Sequence, residues 1–418
     1  RTAAELLYQL SCTSMLAREA CGALQELAVA DSYAESLSVS LQKKRIVLEK
    51  RIIKAEGGYQ YGGFDYAGVP LKRLALSEPP ACQTGSTAAD SLHPVKHYNI
   101  LFICLEFSRW KQARSWSYQT GLGLEEGFGA NGKSFLTIPV MQDLPPNDPG
   151  SWLSYIREVC RDKQFDQVWV EIVHNVLDDQ VLSFLASIAP VRVALIAESL
   201  SYPDEVYAQA PHLKYRRDLV LHRLTYMTHA LAGDEADAQY LNDTGVVKAL
   251  WWVQGVPSWA IALPQTVPTS GKACFSGAIY GDRQYWLEHP LLKEVVQQEI
   301  SPEYDVGLPG LYDQLNQEII ALLQENEEFS QELLDRHLDA LRLIRRRSFE
   351  LWLKGLARGT AVVNLPSFYP AYAGRVYEGM AAGRPVVSWE IPGRPRTKAL
   401  FEDGKEILLF PGDAPLKL

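Results

Sequence analysis

Two short stretches place charged side chains where a phosphate or a sugar hydroxyl would meet them. In "AGRVYEGMAAGRPVVSWE" (373–390), Arg375 and Glu378 are spaced to share one helix face among small residues. The helix dipole disfavours an arginine in a first turn unless an anion lies there, so Arg375 beside Gly374 reads as a phosphate ligand. Glu378, one turn on, offers two oxygens to the two hydroxyls of a ribose, and Gly374 and Gly379 leave room for a ligand. The competing reading is an i,i+3 surface ion pair contributing about 0.2–0.5 kcal/mol. In "FSGAIYGDRQYWLE" (275–288) an apolar strand ends at Ser276 and Gly277, and Gly281 lets the backbone approach a ligand closely. Arg283 then opens a helix, where free N–H groups favour an anion and the guanidinium fork matches phosphate oxygens. The competing reading there is a strand–turn–helix corner with a solvated arginine.

In open α/β sheets ligands bind beyond the carboxyl ends of the strands. In the first half of the chain those positions are Arg109 and Trp110, His174 and Asn175, Glu198 and Ser199, and Asp234 and Glu235. His174 and Glu198 are the candidate catalytic bases, the histidine because its ordinary pKa lies near working pH. A histidine that merely satisfies a strand end is the alternative. The run "RLIRRRSFELWLKGLARG" is basic, but Arg345 to Arg347 cannot share one face, and a solvated helix face is expected. Neither a Walker A motif nor a GxGxxG after the first strand occurs, and no DxD in a suitable loop points to a metal.

The elements that must position these residues follow from pattern. Residues 1–93 read as a helical N-terminal extension and linker: Leu37, Leu41, Leu48 and Ile52 fall on one helix face, and Gly-, Tyr- and Pro-rich segments follow. The extension either packs on the body or serves as an arm for dimerisation or partner docking. From about residue 94, "YNILFICLEF" reads as a strand buried on both faces. "SFLTIPV", "FDQVWVEIV", "VRVALIAES", "THALAGD" and "VVKALWWVQG" follow, with helical segments between most of them. That alternation implies a parallel sheet, hence a first Rossmann-like domain over 94–262. "LPQTVPTSGK" reads as the linker. A second domain over 263–418 opens with "ACFSGAIYG", passes through long helices, and ends strand–helix–strand–helix–strand. The first residue is Arg1 and the last segment is "GDAPLKL", where one more helix is expected, so the C-terminal helix reads as cut.

With 418 residues, 47% hydrophobic and 22% charged, the chain has the composition of a globular protein of more than one domain. A net charge of -9 argues against a general nucleic-acid binder. Six scattered cysteines without a CxxC pair fit a reducing cytoplasm, with Cys104 and Cys274 as buried, inert thiols. The most apolar stretch, "VVKALWWVQGVPSWAIAL", is interrupted by Lys248, Gln254 and Pro257, so no transmembrane segment is expected.

Taken together, "GRVYEGMAAGRPVVS" followed by "LFEDGKEILLF", with "FSGAIYGDRQYWLE" before them, resembles the donor-site signature of GT-B glycosyltransferases and is most similar to the CgeB-like branch. The resemblance covers 273–283 and 360–410 well and the first domain in outline. It implies two Rossmann-like domains facing across a cleft, and metal-independent transfer of a sugar, of hexosyltransferase type, from a nucleotide diphosphate sugar. UDP is the first choice of nucleotide. No cofactor is implied beyond that donor, and the partners are the donor and an acceptor bound on the first domain. By the same resemblance Glu378 binds the donor ribose. Gly277, Tyr280, Gly281, Arg283, Gly374 and Arg375 face the diphosphate. The second glutamate of many GT-B sites, eight positions before the first, is Pro370 here, so sugar contacts are expected from elsewhere, from Ser367 or Tyr372 or their backbone. A nucleotide-sugar epimerase on the same fold, or a non-catalytic scaffold subunit, are the alternatives.

Overall fold

The computed structural model describes residues 96–412 apart from 114–117, 119, 142–148, 176, 262–269, 280–282, 299–306 and 326–330, together with a short hairpin pairing Gln60–Tyr61 with Phe64–Asp65. The helical extension expected before residue 94 lies outside the described residues.

The first sheet is wholly parallel. Strand β1 (Lys96–Glu106) lies between β2 (Phe135–Met141) and β3 (Lys163–Glu171), and β4 (Val191–Ile196), β5 (His229–Ala232) and β6 (Lys248–Trp251) follow outward from β3. Ile100 to Glu106 are all buried, because β1 is paired on both edges and covered on both faces. That is why its sequence runs apolar without alternation. Pro139 is tolerated in β2 because β2 is an edge strand. The helices of this half are α1 (Trp110–Ala113), α2 (Gly123–Ala130), α3 (Pro149–Cys160), α4 (Asp179–Ile188), α5 (Asp204–Gln209), α6 (His212–Leu224), α7 (Glu235–Asp243) and α8 (Ser258–Ile261). Side-chain caps start two of them: Asp178 accepts from Val181 N at 3.0 Å and Asp234 from Ala236 N at 3.0 Å.

The second sheet is parallel as well. Its strands are β7 (Ala273–Phe275), β8 (Val296–Gln298), β9 (Val362–Asn364), β10 (Val386–Trp389) and β11 (Leu408–Phe410), in the order β8-β7-β9-β10-β11. Its helices are α9 (Arg283–Glu288), α10 (Pro290–Val295), α11 (Gly307–Glu325), α12 (Gln331–Ala357), α13 (Gly374–Ala381) and α14 (Pro395–Lys398). Both sheets share one strand logic: the second strand lies outside the first, and the third lies on its other side. The chain is therefore α/β, with two parallel, Rossmann-like sheets flanked by helices, as expected from the sequence.

Helix α12 ties the halves together. Its 27 residues span about 40 Å. Near its start, Leu334 and Leu338 join Ile319 and Ile320 of α11 in the apolar cluster on one face of the first sheet. From Leu341 onward it packs into a second cluster, which runs from Phe102 and Cys104 on the other face of that sheet to Phe275 and Val362 in the second. Polar contacts clamp the same seam. Glu106, buried at the end of β1, accepts from Tyr312 Oη at 2.7 Å and lies 3.5 Å from Arg345 Nε. Arg345 also donates to Ala113 O at 2.6 Å, and Arg342 reaches Glu125 at 2.7 Å.

The expected solvated face for Arg345–Arg347 is thus corrected for its first member. Arg345 turns inward because a carboxylate buried at the end of β1 needs an opposite charge. Arg346 lies over the Trp259 ring at 4.4 Å, and exposed Arg347 pairs with Glu350 at 3.0 Å. Cys104, Cys160 and Cys274 are buried thiols outside any disulfide, and burial pushes the Cys104 thiol well above its usual range. Among the described residues no helix is long and apolar enough to cross a membrane.

Candidate functional site

In the second sheet the strand order reverses between β7 and β9, which opens a crevice beyond their carboxyl ends. Strand β7 runs out at Phe275, and two residues later Gly277 adopts φ 142°, a region that favours glycine. A Cβ at Gly277 would stand 2.1 Å from Arg375 Nη2, so the missing side chain is what admits the guanidinium. Arg375 sits in the first turn of α13, 5.0 Å over the Phe275 ring, and donates to Asn364 Oδ1 at 3.1 Å. The Asn364 amide is oriented by its own donation to Ser388 Oγ at 2.9 Å. No side chain caps the start of α13.

Glu378 is buried on the next turn. Its Oε2 accepts from Trp352 Nε1 at 2.9 Å, and its Oε1 lies 3.3 Å from where a Cβ on Gly374 would be. Gln254, from the loop after β6, brings its Oε1 equally close to Gly374 from the other domain. The structure thus gathers Gly277, Gly374, Arg375 and Glu378 at one sheet end, while Tyr280 and Gly281 lie outside the described residues.

Two expectations meet a different local geometry. Arg283 is buried and donates to Ala278 O at 2.8 Å, 5.8 Å over the Phe275 ring, so it braces the turn after β7. Gly379 does not leave room for a ligand: a Cβ there would come within 2.9 Å of the Val362 side chain, and its absence lets α13 lie flat on β9. Tyr372 is buried with its ring 5.6 Å from Phe401, and burial pushes its phenol up to about 12.

The two domains meet directly in front of this site. The Tyr369 hydroxyl lies 2.3 Å from where a Cβ on Gly233 would stand, so this contact needs glycine after β5. Beside it Arg394 grips the fully buried Asp234 with two N–H groups, at 2.5 and 2.8 Å. Glu235 accepts from the backbone of Arg396 and Thr397 and from Thr397 Oγ1, which caps α14 from the opposite domain. Arg396 covers the Trp251 ring at 4.5 Å. Between Trp251–Gln254 on one side and Tyr372, Tyr377 and Leu400 on the other lies a narrow crevice, partly open to solvent.

Asp237, on α7 behind this seam, accepts from Leu200 N at 2.6 Å. Burial, and then the neighbouring Asp234 carboxylate, push its pKa up to about 7 from 3.8. The folded state therefore holds this proton more tightly than the unfolded chain. Its stabilising effect is full below about pH 4 and is lost as pH rises through about 7. His212 and His337, both pushed down to about 4 chiefly by burial, work in the opposite sense as pH rises. The test is therefore differential. Denaturant titrations of the protein and of Asp237→Asn are expected to show the unmutated protein losing stability relative to the variant between pH 4 and 7.

The first domain contributes an acid–histidine cluster at the ends of β3 and β4. His174 Nδ1 lies 3.1 Å from Glu171 Oε1, and Glu171 also accepts from the backbone N–H groups of Val173 and His174. His174 Nε2 faces Glu198 Oε1 at 3.8 Å, and Glu198 Oε2 lies 3.6 Å from Arg216 Nη2. Arg216 in turn donates to Tyr202 Oη at 2.7 Å. The two candidate bases are therefore adjacent, and Glu198 also faces the second domain: its charge, after burial, helps to push the Tyr369 phenol up. A carboxylate on Nδ1 favours the tautomer that leaves Nε2 able to accept a proton. Glu171, Arg216 and Arg394 escaped sequence reasoning. For Glu171 the usable signal was a lone carboxylate inside the apolar run "VWVEIV", which burial obliges to find partners. Among the described residues no group of three His, Cys, Asp or Glu side chains is placed to hold a metal ion.

No protein-family model matches this chain, and no curated protein matches it. Among solved structures, Anabaena Alr3699/HepE in complex with UDP and glucose, and the same protein with UDP-glucose, are each 14% identical to this chain. Each aligns with a TM-score of 0.36 over 75% of this chain and 86% of the other. Its complex with UDP is 13% identical, with a TM-score of 0.34 over 75% and 85%. At that identity and score neither a ligand nor a residue's role transfers to this chain.

Proposed function

We propose that this chain is a GT-B glycosyltransferase that moves a sugar from a nucleoside diphosphate sugar, with UDP the first choice, to an acceptor, without a metal ion. One observation carries the reading: at the switch point of the second sheet, Arg375 stands in the uncapped first turn of α13, against a glycine that makes room for it, with the Glu378 carboxylate over Gly374. A diphosphate over that helix start would meet backbone N–H groups and the guanidinium fork. The ribose diol would meet Glu378. Arg283 supports the loop that carries Gly277.

In the reaction the bond from the sugar C1 to the diphosphate oxygen breaks, and a bond from the acceptor oxygen to C1 forms. The acceptor proton goes to His174 or Glu198. Charge developing on the leaving diphosphate is held by Arg375 and the start of α13, the electrostatic contribution that matters most in such sites. The seam formed by Tyr369, Asp234 and Arg394 keeps water from the donor. Acceptor binding belongs to the first domain (94–262) and donor binding to the second (263–418). The buried thiols, outside any disulfide, fit a reducing cytoplasm.

Thermal shift against UDP, GDP, dTDP and their sugars tests this. One nucleotide class at a hundredfold excess over its Kd is expected to raise Tm by about 3–6 °C. No shift with any class would favour a scaffold without nucleotide binding. An isomerised sugar nucleotide formed from donor alone would favour an epimerase.

A further inference from the structure

The Glu378 carboxylate is held from outside its own helix. Its Oε2 is held by the indole Nε1–H of Trp352, 2.9 Å away, and Trp352 stands on α12, outside the strand–loop–helix unit that carries Arg375. With Oε2 so engaged, Oε1 is turned over Gly374, where a side chain would crowd it at 3.3 Å. The indole is itself held firmly, because α12 is anchored along its length. Arg345 grips Ala113 O, Arg342 grips Glu125, and Phe349 stacks on Tyr118 at 5.0 Å between centroids. A glutamate has three side-chain torsions, and the indole N–H restricts that freedom at the carboxylate end. A site works when its ligating group is held within a fraction of an ångström by a supporting side chain.

We propose that Trp352 is a positioning residue: its indole N–H sets the direction of the Glu378 carboxylate and thereby the protein's preference for a nucleotide with an intact ribose 2′,3′-diol. This rests on the reading of Glu378 as the ribose ligand. A hydrogen bond to a charged group contributes about 1.5–3 kcal/mol, so the unmutated protein is expected to bind UDP roughly 10–100-fold more tightly than 2′,3′-dideoxy-UDP.

Calorimetry with both nucleotides tests the role. Trp352→Phe keeps an aromatic ring on α12 and removes the N–H. It is expected to reduce the UDP preference to less than about threefold while leaving dideoxy-UDP affinity within about twofold. Trp352→His, which retains a ring N–H, is expected to recover part of the preference, and it carries the same comparison if the phenylalanine variant does not fold. Glu378→Ala is expected to abolish the preference. If Glu378→Ala abolishes it and Trp352→Phe keeps it, or if Trp352→Phe weakens both nucleotides equally, the positioning role is wrong and the donor-site reading stands. If the unmutated protein binds both nucleotides alike, or binds neither, the ribose reading of Glu378 falls and the positioning role falls with it.

Discussion

Asp234→Ala is expected to lower the unfolding free energy by about 5 kcal/mol, the largest stability loss of any single change in the interdomain seam. The side chain is completely buried and serves three partners: both N–H groups of Arg394, Ser199 Oγ at 2.7 Å, and the backbone of Ala236 at the start of α7. Its removal leaves the largely buried Arg394 guanidinium without its carboxylate, a loss of roughly 3–5 kcal/mol when such a pair is broken from one side. Loss of the helix cap adds about 1 kcal/mol. Arg394→Met should cost less, because Asp234 keeps its serine and backbone donors. The double variant should then lose less than the sum of the singles. Urea titration of the four proteins measures that coupling, and strict additivity would mean that the pair contributes nothing of its own.

Arg375→Ala is expected to leave the fold intact and to cost roughly 10²–10³-fold in the rate of sugar transfer, the loss usual when one donor to a developing oxyanion is removed. Arg375 is the cation that the fold places in the first turn of α13, and Gly277 and the Phe275 ring shape the space around it. Affinity for the nucleoside diphosphate should fall by about 10–100-fold, while affinity for the free nucleoside should not change. Arg375→Lys keeps the charge and loses the planar fork, so it should recover binding more than rate. Single-turnover kinetics alongside calorimetry separate these outcomes. Unchanged diphosphate affinity in Arg375→Ala would remove this residue from the donor site.

The strands were the most readable part of the chain, for a physical reason. Runs such as "YNILFICLE" are apolar on both faces only when helices cover both sides, so their sequence announces a buried parallel strand. Strand β8, "VQQ", carries no such mark because it is an edge strand, and its one buried residue, Val296, gives no periodicity. Gly374, Arg375 and Glu378 were legible because they combine small size with charge at a strand-to-helix junction. Arg283 has the same signature, yet it turns back onto Ala278. A sequence shows that an arginine opens a helix but not which way its side chain swings. Gly379 illustrates the same gap, since a glycine that admits a ligand and one that admits a strand look alike in sequence. His174 and Glu198 could be named singly, whereas their pairing depends on β3 and β4 being neighbours, which only the sheet order supplies.

The course of α12 has a practical consequence for anyone dividing the chain. A cut between Ile261 and Ser270, the position that composition recommends, does not release two independent units. The N-terminal fragment would keep Glu106 and Glu125 but lose Tyr312, Arg342 and Arg345, leaving two buried carboxylates without the opposite charges that face them. The C-terminal fragment would carry Ile319, Ile320, Leu334 and Leu338 to the surface, where they would drive self-association. The halves are therefore expected to be insoluble when expressed apart and to recover solubility when co-expressed, reassembling as a split protein around α11 and α12.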